Sequence, residues 1–151
     1  MKRGFSLVEL VIVVALLGIM AAIIVPQFQN QSTEAKEAVA KEGLRILQGA
    51  IELYTAQHSG IPPGYMNDDP QNYPVPTSAN FYDQLTVDNR YMSKMPTNPF
   101  NYQQDIKMVG NGELFPSNAT GDFGWVYQAA TKTIRLDWQG TDKYGVRYFD
   151  Y

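Results

Sequence analysis

KRGFSLVELVIVVALLGIMAAIIVPQF, residues 2–28, decides the fold. From Phe5 to Val25 the run carries a single charge, Glu9. At a helical rise of ~1.5 Å per residue it spans about 30 Å, the hydrocarbon thickness of a bilayer. Lys2 and Arg3 precede it, and the positive-inside rule keeps such residues cytoplasmic. A secretory signal peptide fits less well. The apolar stretch from Leu10 to Val25 is long and ends in Ile-Ile-Val-Pro, with no A-x-A cleavage pattern. The expectation is a single-pass anchor made by membrane lipid and one helix. Glu9 is the anomaly. A charge within a spanning segment costs at least ~2.5 kcal/mol near the centre and marks a candidate functional residue. Its place near one end lowers that cost without explaining it.

Beyond Gln27 the pattern turns amphipathic. Phe28, Ala35, Val39, Ile46, Ala50, Leu53, Tyr54 and Gln57 recur at helical steps, with Glu34, Lys36, Glu37, Lys41 and Glu42 mostly between them. Glu37 and Lys41 have the favourable i,i+4 order. His58-Ser59-Gly60 followed by Pro62-Pro63 is a helix stop. The spacing predicts one helix from about Phe5 to His58, ~80 Å long. Two breakers lie inside it. Gly18 lowers helix propensity by about 1 kcal/mol, and Pro26 removes a backbone donor.

Residues 60–79 read as loop from their Pro, Asn and Asp content. A short helix is expected from Phe81 to about Asn89, with Asn80 as its N-cap and Phe81 facing Leu85. Phe123–Gln128 and Thr133–Trp138 alternate and predict a β-hairpin, with a third strand at Val146–Phe149. Their aromatic faces are expected to cover the helix stripe, with Trp125 or Trp138 on Ile46–Tyr54. The fold class is therefore α+β: a long N-terminal helix whose second half packs on a small antiparallel sheet.

Composition narrows the function. The net charge is −3, which argues against nucleic acid as the main partner. The chain has no cysteine, so disulfides, thiol nucleophiles and Cys-rich zinc sites are excluded. His58 is the only histidine, placed at a helix end to cap carbonyls or lie exposed. There is no H-E-x-x-H and no phosphate-cradling glycine loop, and no enzymatic activity is expected. Gly110-Asn111-Gly112 reads as a turn.

Gly4-Phe5-Ser6-Leu7-Val8-Glu9, between a short basic leader and a long apolar helix, resembles the class III signal of type IV pilins and type II secretion pseudopilins. The resemblance implies cleavage after Gly4 by a prepilin peptidase and N-methylation of the exposed Phe5 amine. Such a cut removes two of the twelve basic side chains, leaving ten against fifteen acidic, a charge of −5. It further implies an assembly role for Glu9. Its carboxylate lies four residues from the new amine, on the same helix face. It can pair with that amine in its own chain, or with a neighbour's and so set the stagger between subunits. In family filaments the segment between breakers such as Gly18 and Pro26 can lose its helical hydrogen bonds.

The likeness continues more loosely. Leu53–Gly64, LYTAQHSGIPPG, resembles the helix end of major pseudopilins. Tyr91–Tyr102, YMSKMPTNPFNY, resembles their Leu-Pro-x-Asp-Pro-Trp-Gly segment, with Asn98, Phe100 and Asn101 substituted. Major pseudopilins carry calcium in a C-terminal loop, which makes Asp137, Asp142 and Asp150 candidate ligands. Their spacing matches no rigid calcium pattern, and solvated loop acids are the plainer expectation.

The implied organisation is a leader at 1–4, a transmembrane assembly segment at 5–25, a soluble helix half at 26–59 and a globular region at 60–151. The implied role is a pseudopilin that homopolymerises through its N-terminal helix on an inner-membrane assembly platform, with its C-terminal region periplasmic. Two alternatives stay open: a type IV pilin of a surface fibre, and a monomeric membrane-anchored binding module.

Overall fold

The computed structural model describes residues 6–151, the side chains of residues 25–30 excepted. In chain order the elements are α1 (Leu7–Gln57), α2 (Ser78–Thr86), β1 (Ile106–Val109), β2 (Trp125–Gln128) and β3 (Thr133–Leu136). Short 3-10 turns lie at Met66–Asp68, Val87–Asn89 and Tyr148–Asp150. The architecture is α+β, and the chain divides into two compact units, Met1–Lys36 and Glu37–Tyr151.

Helix α1 is continuous through Gly18 and Pro26. It stops where the sequence predicts. Ser59 and Gly60 both take left-handed conformations, φ 56° and 86°, and the Gly60 amide donates to the Thr55 carbonyl at 2.9 Å.

In the second unit, α1 buries Ala40, Leu44, Leu47, Ala50, Ile51 and Tyr54 in the main core. This corrects the expected stripe. Ala50 and Tyr54 face the core as predicted, but Ala35, Val39, Ile46, Leu53 and Gln57 are exposed. The Phe28 side chain lies outside the described residues. The helix carries two apolar rows, and both satisfy helical spacing. Periodicity fixes that a row exists, not which of two rows faces inward.

A notch at Gly43 chooses the face. A Cβ there would stand 3.0 Å from Trp125 Cη2 and 3.3 Å from Pro96 Cβ, so glycine lets the indole approach without pushing either neighbour aside. The Trp125 indole N–H donates to the Pro96 carbonyl at 3.0 Å, fixing the ring. Trp125 therefore meets α1 at Gly43, N-terminal to the expected Ile46–Tyr54 stretch. Trp138 instead stacks on Phe100, centroids 5.7 Å apart and 12° between planes.

The expected hairpin is present. β2 and β3 pair antiparallel, with Trp125 opposite Leu136 and Tyr127 opposite Ile134. Strand β1 was not foreseen; it pairs parallel to β2, Ile106 opposite Trp125, and makes the sheet mixed. β2 is thus the central strand and is buried on both faces. Trp125 and Tyr127 enter the main core, while Val126 packs with Val109, Ala119 and Phe149 in a second cluster.

Two local expectations need correction. Thr77, not Asn80, caps α2: its hydroxyl accepts from the Asn80 amide at 3.2 Å. The helix also ends earlier than expected, at Thr86, with left-handed Asp88 and Asn89 beyond it. Phe81 and Leu85 both enter the core as predicted. Val146–Phe149 is not a strand. The Asp142 carboxylate accepts from the Tyr144 and Val146 amides at 2.8 and 3.0 Å, which curls the segment into a loop before the turn at Tyr148–Asp150.

Candidate functional site

The first unit presents one chemical feature. Leu7–Ile24 is an 18-residue helical window of mean hydropathy 3.0, none of it buried. Its large side chains, among them Leu10, Ile12, Leu16, Ile19 and Ile23, are exposed. A soluble monomer rarely leaves so long an apolar surface uncovered, and such surfaces mark contacts with lipid or protein. The window is about 27 Å long at the α-helical rise, close to a bilayer's hydrocarbon core.

Glu9 is the one charge in that window and lies in the first turn of α1. A carboxylate there meets the positive end of the helix dipole, which partly offsets the cost of an apolar setting. The first helical amides seek acceptors, and Leu10 donates to the Ser6 carbonyl at 3.2 Å. Gly4 and Phe5, the expected cleavage and methylation positions, lie outside the described residues, as does the Pro26 side chain. At Gly18 a Cβ would meet nothing within 4 Å, so this glycine is not required by packing inside the chain.

The second unit holds the chain's polar clusters. His58 is neither exposed nor a carbonyl cap. Its Nδ1 lies 2.9 Å from Asp68 Oδ2, while the Tyr54 hydroxyl and the Gln84 amide donate to Asp68 Oδ1. Burial and the neighbouring Asp68 push the Tyr54 hydroxyl well above its usual range. The cluster ties the end of α1 to the following loop. Asn98 and Asn101, two of the three substituted positions of the Tyr91–Tyr102 segment, are also structural. Asn98 donates to the Gly124 carbonyl at 3.2 Å and accepts from the Phe100 amide at 2.9 Å, a double role that a carboxylate cannot fill. Asn101 donates to the Gly121 and Phe123 carbonyls.

The three candidate calcium ligands are not brought together, and the expectation that they are solvated is wrong for two of them. Asp137 is fully buried and accepts from the Thr120 amide, the Thr120 hydroxyl and the Phe123 amide at 2.7, 2.8 and 3.0 Å. Asp142 is buried; besides the two amides of its own loop it accepts from the Tyr151 hydroxyl at 3.0 Å. Burial alone would raise its carboxyl, but those amides, Tyr151 and Lys41 together hold it below the usual carboxylate range. Asp150 pairs with Arg147 at 2.6 Å and Arg135 at 2.9 Å. Calcium needs six to eight oxygens with free lone pairs turned inward. Here the acids point at N–H and O–H donors, whose positive ends repel a cation. Among the described residues, no three His, Cys, Asp or Glu side chains group as a metal site. The donor set does not fit calcium.

Sequence reasoning missed what Glu37 and Lys41 do. Read as a surface i,i+4 pair, both reach the C-terminal segment: Tyr148 donates to Glu37 Oε1 at 3.0 Å, and Lys41 Nζ stands 4.0 Å from Asp142 Oδ2. The buried stripe passes beside both, but contacts more than a hundred residues apart in sequence carry no local signal.

Comparison with known proteins agrees with the N-terminal chemistry. A family described as the prokaryotic N-terminal methylation motif matches residues 1–25. The type II secretion system core protein G of Pseudomonas aeruginosa is 29% identical over 104 residues, covering 66% of this chain and 68% of that protein. That of Aeromonas hydrophila is 25% identical over 131 residues, 82% of this chain and 87% of the relative. The type IV major pilin protein PilA of Myxococcus xanthus is 47% identical over 58 residues, 38% of this chain but 24% of that pilin. No solved structure matches the chain significantly. With a methylation motif at one end and core-protein-G likeness along most of its length, the chain is similar to the type IV pilins and type II secretion pseudopilins.

Proposed function

We propose that this chain is a pseudopilin, the structural subunit of a type II secretion filament. The observation that carries the reading is the extent of likeness. Similarity to the Aeromonas hydrophila core protein G covers 82% of this chain, whereas similarity to the Myxococcus xanthus pilin covers 38% of it. The precursor inserts through Leu7–Ile24 with Lys2 and Arg3 on the cytoplasmic side, which leaves residues 37–151 in the periplasm. Cleavage after Gly4 turns Phe5 into an N-terminal amine, which is then methylated.

Glu9 then becomes a registration device. An unpaired carboxylate and an unpaired amine in an apolar layer are each costly. A neighbour's Phe5 amine beside Glu9 relieves both, and it does so at one axial stagger, which apolar packing alone would not select. The partners this requires are further copies of the chain, a processing peptidase and an assembly platform in the inner membrane.

The second reading, a surface pilin, draws on the 47% identity of the shorter pilin match. Deleting the gene in its own host separates the two. A pseudopilin deletion leaves exported enzymes trapped in the periplasm and surface fibres intact. A pilin deletion removes the fibres and leaves secretion unchanged, and that result would overturn the proposal.

A further inference from the structure

The C-terminal segment, residues 140–151, adds no strand to the sheet, and its backbone hydrogen bonds close turns within itself. One bridge joins Thr141 to Arg147, and the last residues form a single 3-10 turn. A segment so short of ladder bonds needs something else to hold it against α1. Calcium is what the family resemblance implies, and the donor set does not fit it.

The structure supplies another cation. Lys41 Nζ lies 4.0 Å from Asp142 Oδ2 and 4.1 Å from the centroid of the Tyr151 ring. The Tyr151 hydroxyl donates to that same Asp142 oxygen at 3.0 Å. One ammonium thus faces a carboxylate and an aromatic face that are already joined to each other. Glu37, one turn earlier on α1, accepts the Tyr148 hydroxyl at 3.0 Å in a buried contact, and the Tyr148 and Tyr151 rings meet edge to face at 5.5 Å. Meanwhile Asp142 Oδ1 gathers the Tyr144 and Val146 amides. Both carboxylates in this corner accept from protein donors, and the positive charge that an ion would bring is present on the helix.

We propose that the Lys41 ammonium closes the C-terminal segment onto α1 in place of a divalent cation, so that folding of this subunit is independent of calcium. The ammonium is part-exposed, so its pairing with Asp142 is screened. Its effect comes from the ion pair and the cation–π contact acting on one group.

The experiment uses the full chain in detergent micelles, with calcium chloride and a calcium chelator as probes. Thermal melting should be the same with chelator and with millimolar calcium. A genuine site held at a hundred times its dissociation constant would raise Tm by about 10 °C in a domain of this size. Amide hydrogen exchange then tests the clasp. Lys41→Met keeps the apolar stem and removes the charge; it should speed exchange at Tyr144 and Val146 about tenfold while leaving Val126 and Tyr127 of β2 unchanged. Lys41→Arg should restore most of the protection. A chelator-induced fall in Tm that calcium reverses would overturn the proposal, as would unchanged exchange in Lys41→Met.

Discussion

Helix α1 uses one backbone for two kinds of apolar surface. Over Leu7–Ile24 apolar side chains point in every direction and none is buried within the chain. Over residues 37–57 a single row is buried, and its neighbours Val39, Ile46 and Leu53 are left outside. The glycines make the contrast sharpest. At Gly18 an added methyl meets open space; at Gly43 it meets the edge of Trp125. The first surface takes its partner from outside the chain. The second is cut to fit one side chain inside it.

The largest test of this contrast removes the one charge in the outward surface. Glu9→Val should insert into membrane at least as well as the parent and should still be cut after Gly4. It should nevertheless yield almost no sheared filament, because a neighbour's amine is left unpaired. Fractionation with N-terminal mass analysis reads all three outcomes, and a normal filament yield from the cleaved variant would end the registration idea.

The inward surface predicts loss of folding rather than of assembly. Trp125→Ala removes a fully buried indole together with its bond to Pro96 and should cost about 3–5 kcal/mol. The melting temperature of the full chain in micelles should fall by roughly 10–20 °C. A shift of only a degree or two would mean that the indole does not anchor this core.

Next in size is one substitution made twice. Gly43→Ala forces the indole or Pro96 to move and should destabilise by about 1–3 kcal/mol. Gly18→Ala should instead firm the helix by up to about 1 kcal/mol. Thermal melting reads the first, and amide exchange over residues 14–22 the second. Equal effects at the two sites would erase the distinction between the surfaces.

The smallest effect belongs to pH and to the second unit alone. Asp142 and Asp150 are held below the ordinary carboxylate range in the folded chain, Asp150 chiefly by Arg147. Their contribution is complete above the unfolded value of about 4 and fades as pH falls through the lowered folded values. Burial, reinforced by Glu37, pushes Tyr148 from 10.0 up to about 12. Its contribution is full below 10.0 and is lost as pH rises towards 12. A plot of melting temperature against pH should therefore be flat between these limits and fall at both ends.

These two regions also differ in how readable they were. The N-terminal signal is linear: the methylation motif matches residues 1–25, and the apolar length is a count. The hairpin was legible because Trp125, Tyr127, Ile134 and Leu136 alternate. Strand β1 was not, because Ile106–Val109 is short and its parallel partner lies across a long loop. The helix face was misread because Val39, Ile46 and Leu53 repeat every seven residues as convincingly as the buried row. What broke the tie was Gly43, whose meaning depends on an indole more than eighty residues away. The corner made by Glu37, Lys41, Tyr148 and Tyr151 was hidden for the same reason.

The notch at Gly43 also has a mechanical consequence. A tryptophan edge seated in a one-residue gap behaves like a pawl in a tooth. Sliding α1 by one turn would bring Val39 or Leu47 under the ring, where a branched side chain has no room. Slip of α1 along its axis is then opposed by the Trp125 ring, which is rooted in the central strand and held by the Pro96 carbonyl. Within the second unit, what fixes helix to sheet is the absence of a single carbon atom.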